Sequence, residues 1–163
     1  MRQEDKTEKE FIDVDTGEVK VTSEPVVLQA MAIGSCVAVV VFDRGKKIGG
    51  LAHIMLPGRS PEKESKEKPK YTEDAVDELL EKLKNLGAKT EDLEISLVGG
   101  ADLLGEGNIA ELIVNSVLDY LKRLGIKLKQ QRLGGTQRRS ISLDISSGKI
   151  VYTEGDSTGK ELC

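Results

Sequence analysis

Two side chains in the sequence have the chemistry of a covalent hydrolase. Cys36 follows Ile33-Gly34-Ser35, and His53, the only histidine in the chain, comes 17 residues later. A thiolate is a strong nucleophile, and a neighbouring imidazole can take the thiol proton and later protonate a leaving group. The sequence therefore predicts a cysteine nucleophile with a histidine acid–base partner, if the fold brings the two side chains together.

The segments that carry these residues have the pattern of a β-hairpin. Residues 37–42 form a β-branched apolar run typical of a strand buried on both faces, and residues 48–56 return as a second strand. Asp43-Arg44-Gly45-Lys46 is a turn signal. If the loop is centred between Arg44 and Gly45, Cys36 lies directly opposite His53. Directly opposed residues point to the same face, with Cβ atoms about 4.5–5.5 Å apart.

Each of the two residues also has a purely structural interpretation. A free cysteine is commonly a small buried hydrophobe, and a lone histidine is commonly a hydrogen-bonded core residue. A slip of one residue in the hairpin would place the pair diagonally. The predicted opposition favours the catalytic interpretation, and backbone N–H groups near the start of the strand, including that of Cys36, could form an oxyanion hole.

The composition restricts the class of protein. The chain has 163 residues and a mass of 17.7 kDa, with 38% hydrophobic and 32% charged residues, which is typical of one soluble globular domain. The net charge is −4, the pI is about 5.2 and aromatic residues make up 3%. These values argue against a nucleic-acid partner, which would require a basic surface or aromatic stacking platforms.

The sequence also limits cofactors and compartment. Cys36 and Cys163 are too far apart to make a disulfide framework, and we expect Cys163 to be an inert tail residue. One histidine and one usable cysteine cannot complete a zinc site, and no phosphate-loop motif occurs. We therefore expect neither a metal nor another cofactor. Since no secretory signal and no run long enough to span a bilayer is visible, we expect a cytoplasmic protein without membrane insertion.

Three segments are predicted along the chain. Residues 1–24 are polar and partly loose, with a tail over residues 1–9 and a turn at Asp15-Thr16-Gly17. Residues 25–153 form a single catalytic domain, and residues 154–163 form a frayed C-terminal tail. Within the domain, residues 58–70 are almost wholly polar, which predicts a solvated, mobile loop.

Two amphipathic helices follow this loop. Their apolar stripes are Ala75, Val76, Leu79, Leu80, Leu83 and Leu86, and Ile109, Leu112, Ile113, Val117, Tyr120, Leu121 and Leu124. Thr72 and Asn108 are the predicted N-caps, and Gly87 and Gly125 are the predicted C-terminal glycines. With short strands after each helix and a hairpin over residues 140–153, the pattern predicts an α/β domain: a mostly antiparallel mixed sheet with two main helices packed on it.

An ordered set of motifs resembles the CheD family of chemoreceptor glutamine deamidases, from about residue 27 to residue 151. The motifs are Gly34-Ser35-Cys36-Val37-Ala38-Val39, Ala52-His53-Ile54-Met55-Leu56-Pro57, Lys70-Tyr71 with Asp74-Ala75-Val76, Gly99-Gly100-Ala101, Gly107-Asn108-Ile109, and Gly134-Gly135 leading to Arg139. The order and spacings match those of the family, and the ordered set is far more specific than any one motif.

The resemblance implies a layered α/β sandwich, distantly similar to deamidating toxins of the cytotoxic necrotizing factor type. It implies hydrolysis of selected glutamine side chains to glutamate on methyl-accepting chemotaxis proteins, with Cys36 and His53 as the catalytic pair and a thioester intermediate. It also implies partnership with a CheC-type phosphatase. Within the enzyme class, a methylesterase or a transglutaminase using the same thioester is an alternative.

One position departs from the family pattern. The family commonly has a threonine six residues before the cysteine, where it orients the histidine, and this chain has Ala30 there. The third group is then a backbone carbonyl or is missing. A missing third group would favour a different alternative, a non-catalytic or weakly catalytic adaptor that binds the CheC-type phosphatase and receptors.

Overall fold

A computed structural model of the chain describes residues 9–105 and 109–162. The predicted N-cap Asn108, Cys163 and nearly all of the predicted N-terminal tail lie outside the described residues. The described residues form ten strands and two α-helices, as follows: β1 (Phe11–Asp13), β2 (Val19–Thr22), β3 (Val27–Ile33), β4 (Val37–Asp43), β5 (Ile48–Ile54), α1 (Thr72–Asn85), β6 (Leu93–Gly99), α2 (Ile109–Arg123), β7 (Leu128–Leu133), β8 (Arg139–Asp144), β9 (Ile150–Glu154) and β10 (Lys160–Glu161).

The strands are divided between two five-stranded sheets. The β3 sheet has the order β1-β3-β8-β9-β10, and the β4 sheet has the order β2-β5-β4-β6-β7. Only β1 with β3 and β6 with β7 run parallel among the described strand pairs. The predicted mostly antiparallel mixed architecture is confirmed. The division into two sheets was not predicted, because strand periodicity does not specify which strands pair.

Strand β4 is buried on both faces, as its β-branched sequence predicts, because it lies at the centre of its sheet. Val37, Val39 and Val41 point into a core shared with the helices. Ala38, Val40 and Phe42 point into a second core shared with the β3 sheet. The molecule therefore has three layers, which are the helices, the β4 sheet and the β3 sheet.

Both predicted helices are present, and the buried part of each stripe packs on the β4 sheet. The N-cap of α1 is Tyr71 and not the predicted Thr72, whose hydroxyl donates to the Leu56 carbonyl at 3.0 Å. Gly87 and Gly125 follow the two helices with φ values of 104° and 74°, a left-handed conformation that glycine adopts readily. The predicted stripes include four residues that are exposed rather than buried. Leu86, Ile109, Leu112 and Leu124 are 42–52% exposed. Among the described residues, no helix combines the length and apolar composition needed to cross a membrane.

Of the three predicted peripheral segments, the N-terminal segment and the C-terminal tail differ from expectation. Within residues 1–24, β1 and β2 add an edge strand to each sheet, and with three and four residues both are too short to show a clear strand pattern. The segment after Pro57 is anchored at its start, since the Arg59 guanidinium pairs with Glu73 and Asp77, each at 3.1 Å. The predicted C-terminal tail contains β10, which pairs with β9, and its Leu162 is buried in the second core. A two-residue strand is too short to show a periodic pattern.

Candidate functional site

The register of the β4–β5 hairpin differs from the one that we predicted. Val37 pairs with Ile54, Ala38 with His53 and Asp43 with Ile48. The loop therefore comprises residues 44–47, one position later than expected. The Asp43 carboxylate accepts the Lys46 N–H at 3.0 Å, and the Asp43 carbonyl accepts the Lys47 N–H at 2.8 Å.

Lys47 adopts a φ of 54° to close this loop. A non-glycine residue rarely adopts such a conformation, and nothing in its side chain signals it. A loop centred between Arg44 and Gly45 was therefore the wrong choice, although the turn itself was correctly located.

This register places His53 opposite Ala38 rather than opposite Cys36. Cys36, one residue before β4, is a diagonal neighbour of His53 on the same face, the face that packs toward the β3 sheet. Diagonal positions are about 7–8 Å apart, within reach of long side chains. Within the described part of the chain, no thiol–imidazole hydrogen bond joins the pair. The structure therefore brings the two predicted site residues to one face but does not place them in direct opposition.

A backbone carbonyl orients the imidazole of His53. The Nδ1 atom lies 3.0 Å from the carbonyl oxygen of Val14. Since a carbonyl only accepts, Nδ1 must carry the proton and Nε2 is left as the basic nitrogen. Ala30, at the position where the family commonly has threonine, is buried among apolar residues of the second core. Among the groups that the structure describes, the Val14 carbonyl therefore fills the orienting role.

The segment around Val14 is held against β5 by the backbone. Gly17 donates its N–H to the His53 carbonyl at 2.8 Å, and His53 donates its own N–H to the Glu18 carbonyl at 3.0 Å. On the other side, Val14 donates to the Gln29 carbonyl at 2.7 Å. The predicted turn at Asp15-Thr16-Gly17 is present, and it is this turn that brings the Val14 carbonyl over the imidazole.

Burial dominates the protonation of His53. The residue is 4% exposed, and loss of solvent lowers the pKa of its imidazole. The Val14 carbonyl and the carboxylates of Asp15 and Glu18 oppose this effect but do not overcome it. His53 is therefore neutral at pH 7 and can accept a proton.

A β-bulge in β3 leads the chain into the loop that holds Cys36. Ala30 pairs with Ile141 and Ile33 with Arg139, so three steps along β3 match two along β8. Ala32, within the bulge, has a φ of 54°. Bulges of this kind commonly redirect a strand beside a functional site. Here Ile33 follows the bulge and is buried in the second core, and residues 34–36 connect β3 to β4.

The thiol of Cys36 is half-buried, and the protein around it affects its pKa in two opposite ways. Burial raises the pKa of the thiol, and the backbone N–H of Cys36 itself lowers it by a smaller amount. With a neutral thiol beside a neutral imidazole, the site is suited to general-base activation of the thiol as it attacks, rather than to a stable thiolate–imidazolium pair.

One surface cavity is lined by His53 and another by Ser35, the residue before Cys36, and Cys36 itself lines neither. The first, of about 370 Å³, is lined by His53 and Val14 with Asp13, Asp15, Thr16 and Met31. The second, of about 220 Å³, is lined by Ser35 together with Leu103 and Leu104. We call residues 34–36, which include the candidate nucleophile Cys36, the nucleophile loop. A Cβ on Gly34 would lie 2.9 Å from Cδ1 of Leu103, so this leucine packs directly on the nucleophile loop. Met31, Leu103 and Leu104 are 57%, 43% and 81% exposed, and we call these three residues the apolar rim.

No group of three or more His, Cys, Asp or Glu side chains within residues 9–105 and 109–162 is arranged to hold a metal ion. The sequence offered no signal for the role of Val14, because any residue supplies a carbonyl. The Gly99-Gly100 pair, by contrast, was visible as a motif. Its Gly100 N–H donates to the Cys36 carbonyl at 2.8 Å.

Comparison with known proteins gives a consistent family. The family described as "CheD chemotactic sensory transduction" matches residues 55–154. The chain is 36% identical over 149 residues to the probable chemoreceptor glutamine deamidase CheD of Methanococcus vannielii, covering 89% of this chain and 96% of that protein. It is 40% identical over 141 residues to the chemoreceptor glutamine deamidase CheD of Thermotoga maritima, covering 85% of this chain and 88% of that protein.

A third relative extends the match to nearly the whole chain. The probable chemoreceptor glutamine deamidase CheD 2 of Geobacter metallireducens is 36% identical over 159 residues, covering 93% of this chain and 98% of that protein. Identity above 30% over most of both chains, together with the family match, establishes the relationship. The chain belongs to the CheD family.

Proposed function

We propose that this protein deamidates selected glutamine side chains to glutamate on methyl-accepting chemotaxis proteins, with Cys36 as nucleophile and His53 as acid–base. The main supporting observation is that the Val14 carbonyl oxygen accepts a hydrogen bond from His53, with 3.0 Å between that oxygen and Nδ1. This leaves Nε2 as the basic nitrogen of a residue that lies on the same face as Cys36. Relatives named as chemoreceptor glutamine deamidases support the substrate class.

The reaction proceeds through a thioester. His53 Nε2 takes the thiol proton as the Cys36 sulfur attacks the δ-carbonyl carbon of the glutamine, and the Cys36 N–H stabilises the oxyanion. The imidazolium then protonates the amide nitrogen, the C–N bond breaks and ammonia leaves. A water molecule, deprotonated by His53, attacks the thioester, and the sulfur leaves and recovers its proton. The net change is glutamine plus water to glutamate plus ammonia.

The diagonal placement of the pair fits this scheme if substrate binding tightens it. Hydrogen bonds between catalytic groups are often long in a free enzyme and shorten in the substrate complex. Since both groups are neutral at rest, little electrostatic attraction draws them together beforehand. The proton moves only when the sulfur attacks.

The apolar rim is the surface that we assign to the receptor segment flanking the target glutamine. Leu103 packs on Gly34, two residues from Cys36, and apolar side chains exposed beside a reactive site commonly contact the substrate. We expect Leu103→Ser to raise KM several-fold while kcat changes little, because the rim binds the reactant and the transition state alike. Leu124→Ser is the matched control, since Leu124 is 42% exposed at the end of α2. Equal KM values for the two variants would contradict this assignment.

Mass spectrometry of a receptor fragment tests the reaction. The wild-type protein should add about one mass unit per converted glutamine and release ammonia, and Cys36→Ala should do neither. Conversion by Cys36→Ala would show that the nucleophile is wrongly assigned. Methanol release from a methylated receptor would indicate a methylesterase, and incorporation of an added amine would indicate a transglutaminase.

The partner and the compartment follow from the same proposal. The family resemblance supports a CheC-type phosphatase as a binding partner, and titration calorimetry of the two purified proteins would measure that interaction. We place the protein in the cytoplasm, where the free thiol of Cys36 would stay reduced.

A specific observation favours a second candidate, the adaptor that acts by binding alone. Cys36 and His53 make no hydrogen bond to each other within the described residues, and burial disfavours the thiolate. On this candidate, Cys36→Ser would support chemotaxis as well as the wild type and would bind the phosphatase equally. Loss of receptor modification and of chemotaxis together would exclude it.

A further inference from the structure

Arg139 is a buried charged residue that lies between the two sheets. Its side chain is 4% exposed. The Nε and Nη2 atoms each lie 2.9 Å from Oε2 of Glu154, and Nη1 donates to the carbonyl of Gly99 at 3.0 Å. A buried guanidinium carries a large desolvation cost, and here only part of it is offset by an ion pair with β9. The remaining contact is with the end of β6, in the other sheet.

The Gly99–Gly100 peptide is the group that connects Arg139 to the nucleophile. Its carbonyl accepts from Arg139 Nη1 and from the Gly134 N–H, both at 3.0 Å. Its N–H, on the opposite side of the same planar unit, donates to the carbonyl of Cys36 at 2.8 Å. Because a peptide unit is rigid, a donor that fixes its oxygen also fixes the direction of its N–H. A charged donor also polarises the peptide and strengthens the hydrogen bond on its far side.

The space around this peptide allows little adjustment. Gly99 has a φ of 129°, and a Cβ at this position would lie 2.3 Å from the Cys36 carbonyl oxygen. The residue after the Gly99–Gly100 peptide also contacts the nucleophile loop, since Ala101 donates its N–H to the Gly34 carbonyl at 2.9 Å. Arg139 itself pairs with Ile33, the last residue of the β3 bulge. The arginine is therefore connected to the nucleophile loop from both sides.

We propose that Arg139 is a positioning residue for the deamidation reaction, holding the Cys36 backbone through the Gly99–Gly100 peptide. This inference rests on the proposed role of Cys36. Within the described residues, Arg139 makes no hydrogen bond or ion pair with the Cys36 side chain, and its guanidinium contacts Glu154 and the Gly99 carbonyl instead. Its contribution is the direction of the Cys36 backbone, and hence the aim of the thiol and the N–H at the substrate carbonyl.

The competing explanation is that Arg139 only stabilises the fold through its ion pair. Arg132 provides the matched control, because it pairs with the same carboxylate, at 3.0 Å from Glu154 Oε1, and its side chain is 49% exposed on β7. Arg132→Gln removes an ion pair to Glu154 and leaves the Gly99 contact in place. Arg139→Lys keeps a cation for Glu154 and loses the planar fork that serves both acceptors at once.

The experiment measures kcat, KM and thermal unfolding for Arg139→Lys, Arg139→Gln and Arg132→Gln. We expect kcat to fall about tenfold or more in both Arg139 variants with KM nearly unchanged, since small misplacements of reacting groups have effects of this size. Arg132→Gln should keep kcat within about twofold of wild type. A folded Arg139→Lys with wild-type kcat, or an equal loss in Arg132→Gln, would overturn the proposal.

Three further results complete the test and separate this inference from the proposed function. If Arg139→Gln does not fold, Arg139→Lys decides, because its ion pair is preserved. If Cys36→Ala retains wild-type turnover, the proposed nucleophile is wrong and Arg139 has no Cys36 chemistry to support. If Cys36→Ala is inactive and both Arg139 variants are as active as wild type, only the Arg139 proposal fails.

Discussion

Val14 acts on His53 through its backbone, and this sets the tautomer of the imidazole. Its carbonyl accepts from Nδ1 at 3.0 Å, so the basic nitrogen is Nε2. A threonine hydroxyl, as the family resemblance leads one to expect at the position of Ala30, could accept in the same way. Because the carbonyl belongs to the main chain, substitution of the Val14 side chain does not remove it. The side chain at position 14 can therefore be changed without losing the contact, whereas the position of its carbonyl cannot.

The buried imidazole makes stability depend on pH. Burial lowers the pKa of folded His53 below its value of about 6.5 in the unfolded chain. Between these two values the unfolded chain binds more protons, so the free energy of unfolding falls as the pH drops below about 6.5, by at most about 1.4 kcal/mol per pH unit. Urea unfolding at pH 7 and pH 5 should show a smaller loss in His53→Gln than in wild type. Equal losses would contradict a depressed pKa.

The thiol of Cys36 should be reluctant to ionise. Since burial raises its pKa, alkylation by iodoacetamide should follow a pH profile with its midpoint above the ordinary thiol value of about 8.5. The measurement uses a Cys163→Ser background so that one thiol reacts. In urea the midpoint should return to the ordinary value. Fast alkylation that persists down to pH 6 would instead indicate a preformed thiolate.

At the scale of elements, the end of β6 packs directly against the backbone of the nucleophile loop. Gly99 and Gly87 both have left-handed backbones, with φ values of 129° and 104°, but they differ in the space around them. A Cβ on Gly99 would lie 2.3 Å from the Cys36 carbonyl oxygen, and one on Gly87 meets nothing within 4 Å.

Alanine substitutions at these two glycines separate backbone strain from close contact. Gly87→Ala should cost about 1–2 kcal/mol of unfolding free energy from strain alone and leave turnover unchanged. Gly99→Ala should cost more, about 3 kcal/mol, and should lower kcat because the Cys36 backbone must move. Chemical unfolding and ammonia release measure the two effects. Similar behaviour of both variants would mean that the contact with Cys36 is unimportant.

At the scale of the whole molecule, the C-terminal edge strand β10 and the residue after it complete the second core. Strand β10 pairs with Tyr152 and Val151, and Leu162 is 8% exposed in the core between the sheets. Leu162→Ala should therefore lower the free energy of unfolding by about 2 kcal/mol without changing kcat, since Cys36 and His53 lie on the β4 sheet. Leu86→Ala, at a leucine that is 42% exposed, should change stability by less than about 0.5 kcal/mol. A thermal-unfolding series compares them, and equal shifts would show that Leu162 is not packed in solution.

Much of the fold and part of the site could be predicted from local pattern. Strand β4, both helices and the glycines that end them follow from residue type and spacing, because periodic burial of apolar side chains is a local signal. The strands β1, β2 and β10 were missed since each is too short or too exposed to show that signal. Cys36 and His53 were identified by their chemistry, and their shared face follows from hairpin parity.

The sequence by itself determined the family, the two helices, the central hairpin strands and the two residues whose chemistry suits a hydrolase. Only the tertiary structure decided how these two residues face each other, which carbonyl orients His53 and how Arg139 reaches the Cys36 backbone. The register of the β4–β5 hairpin depended on the left-handed backbone of Lys47. The hydrogen bonds that orient His53 and the Cys36 backbone depend on the backbone groups of Val14, Gly99 and Gly100. Backbone groups are the same in every residue type, and their partners here are far apart in the chain, so no local pattern could reveal them.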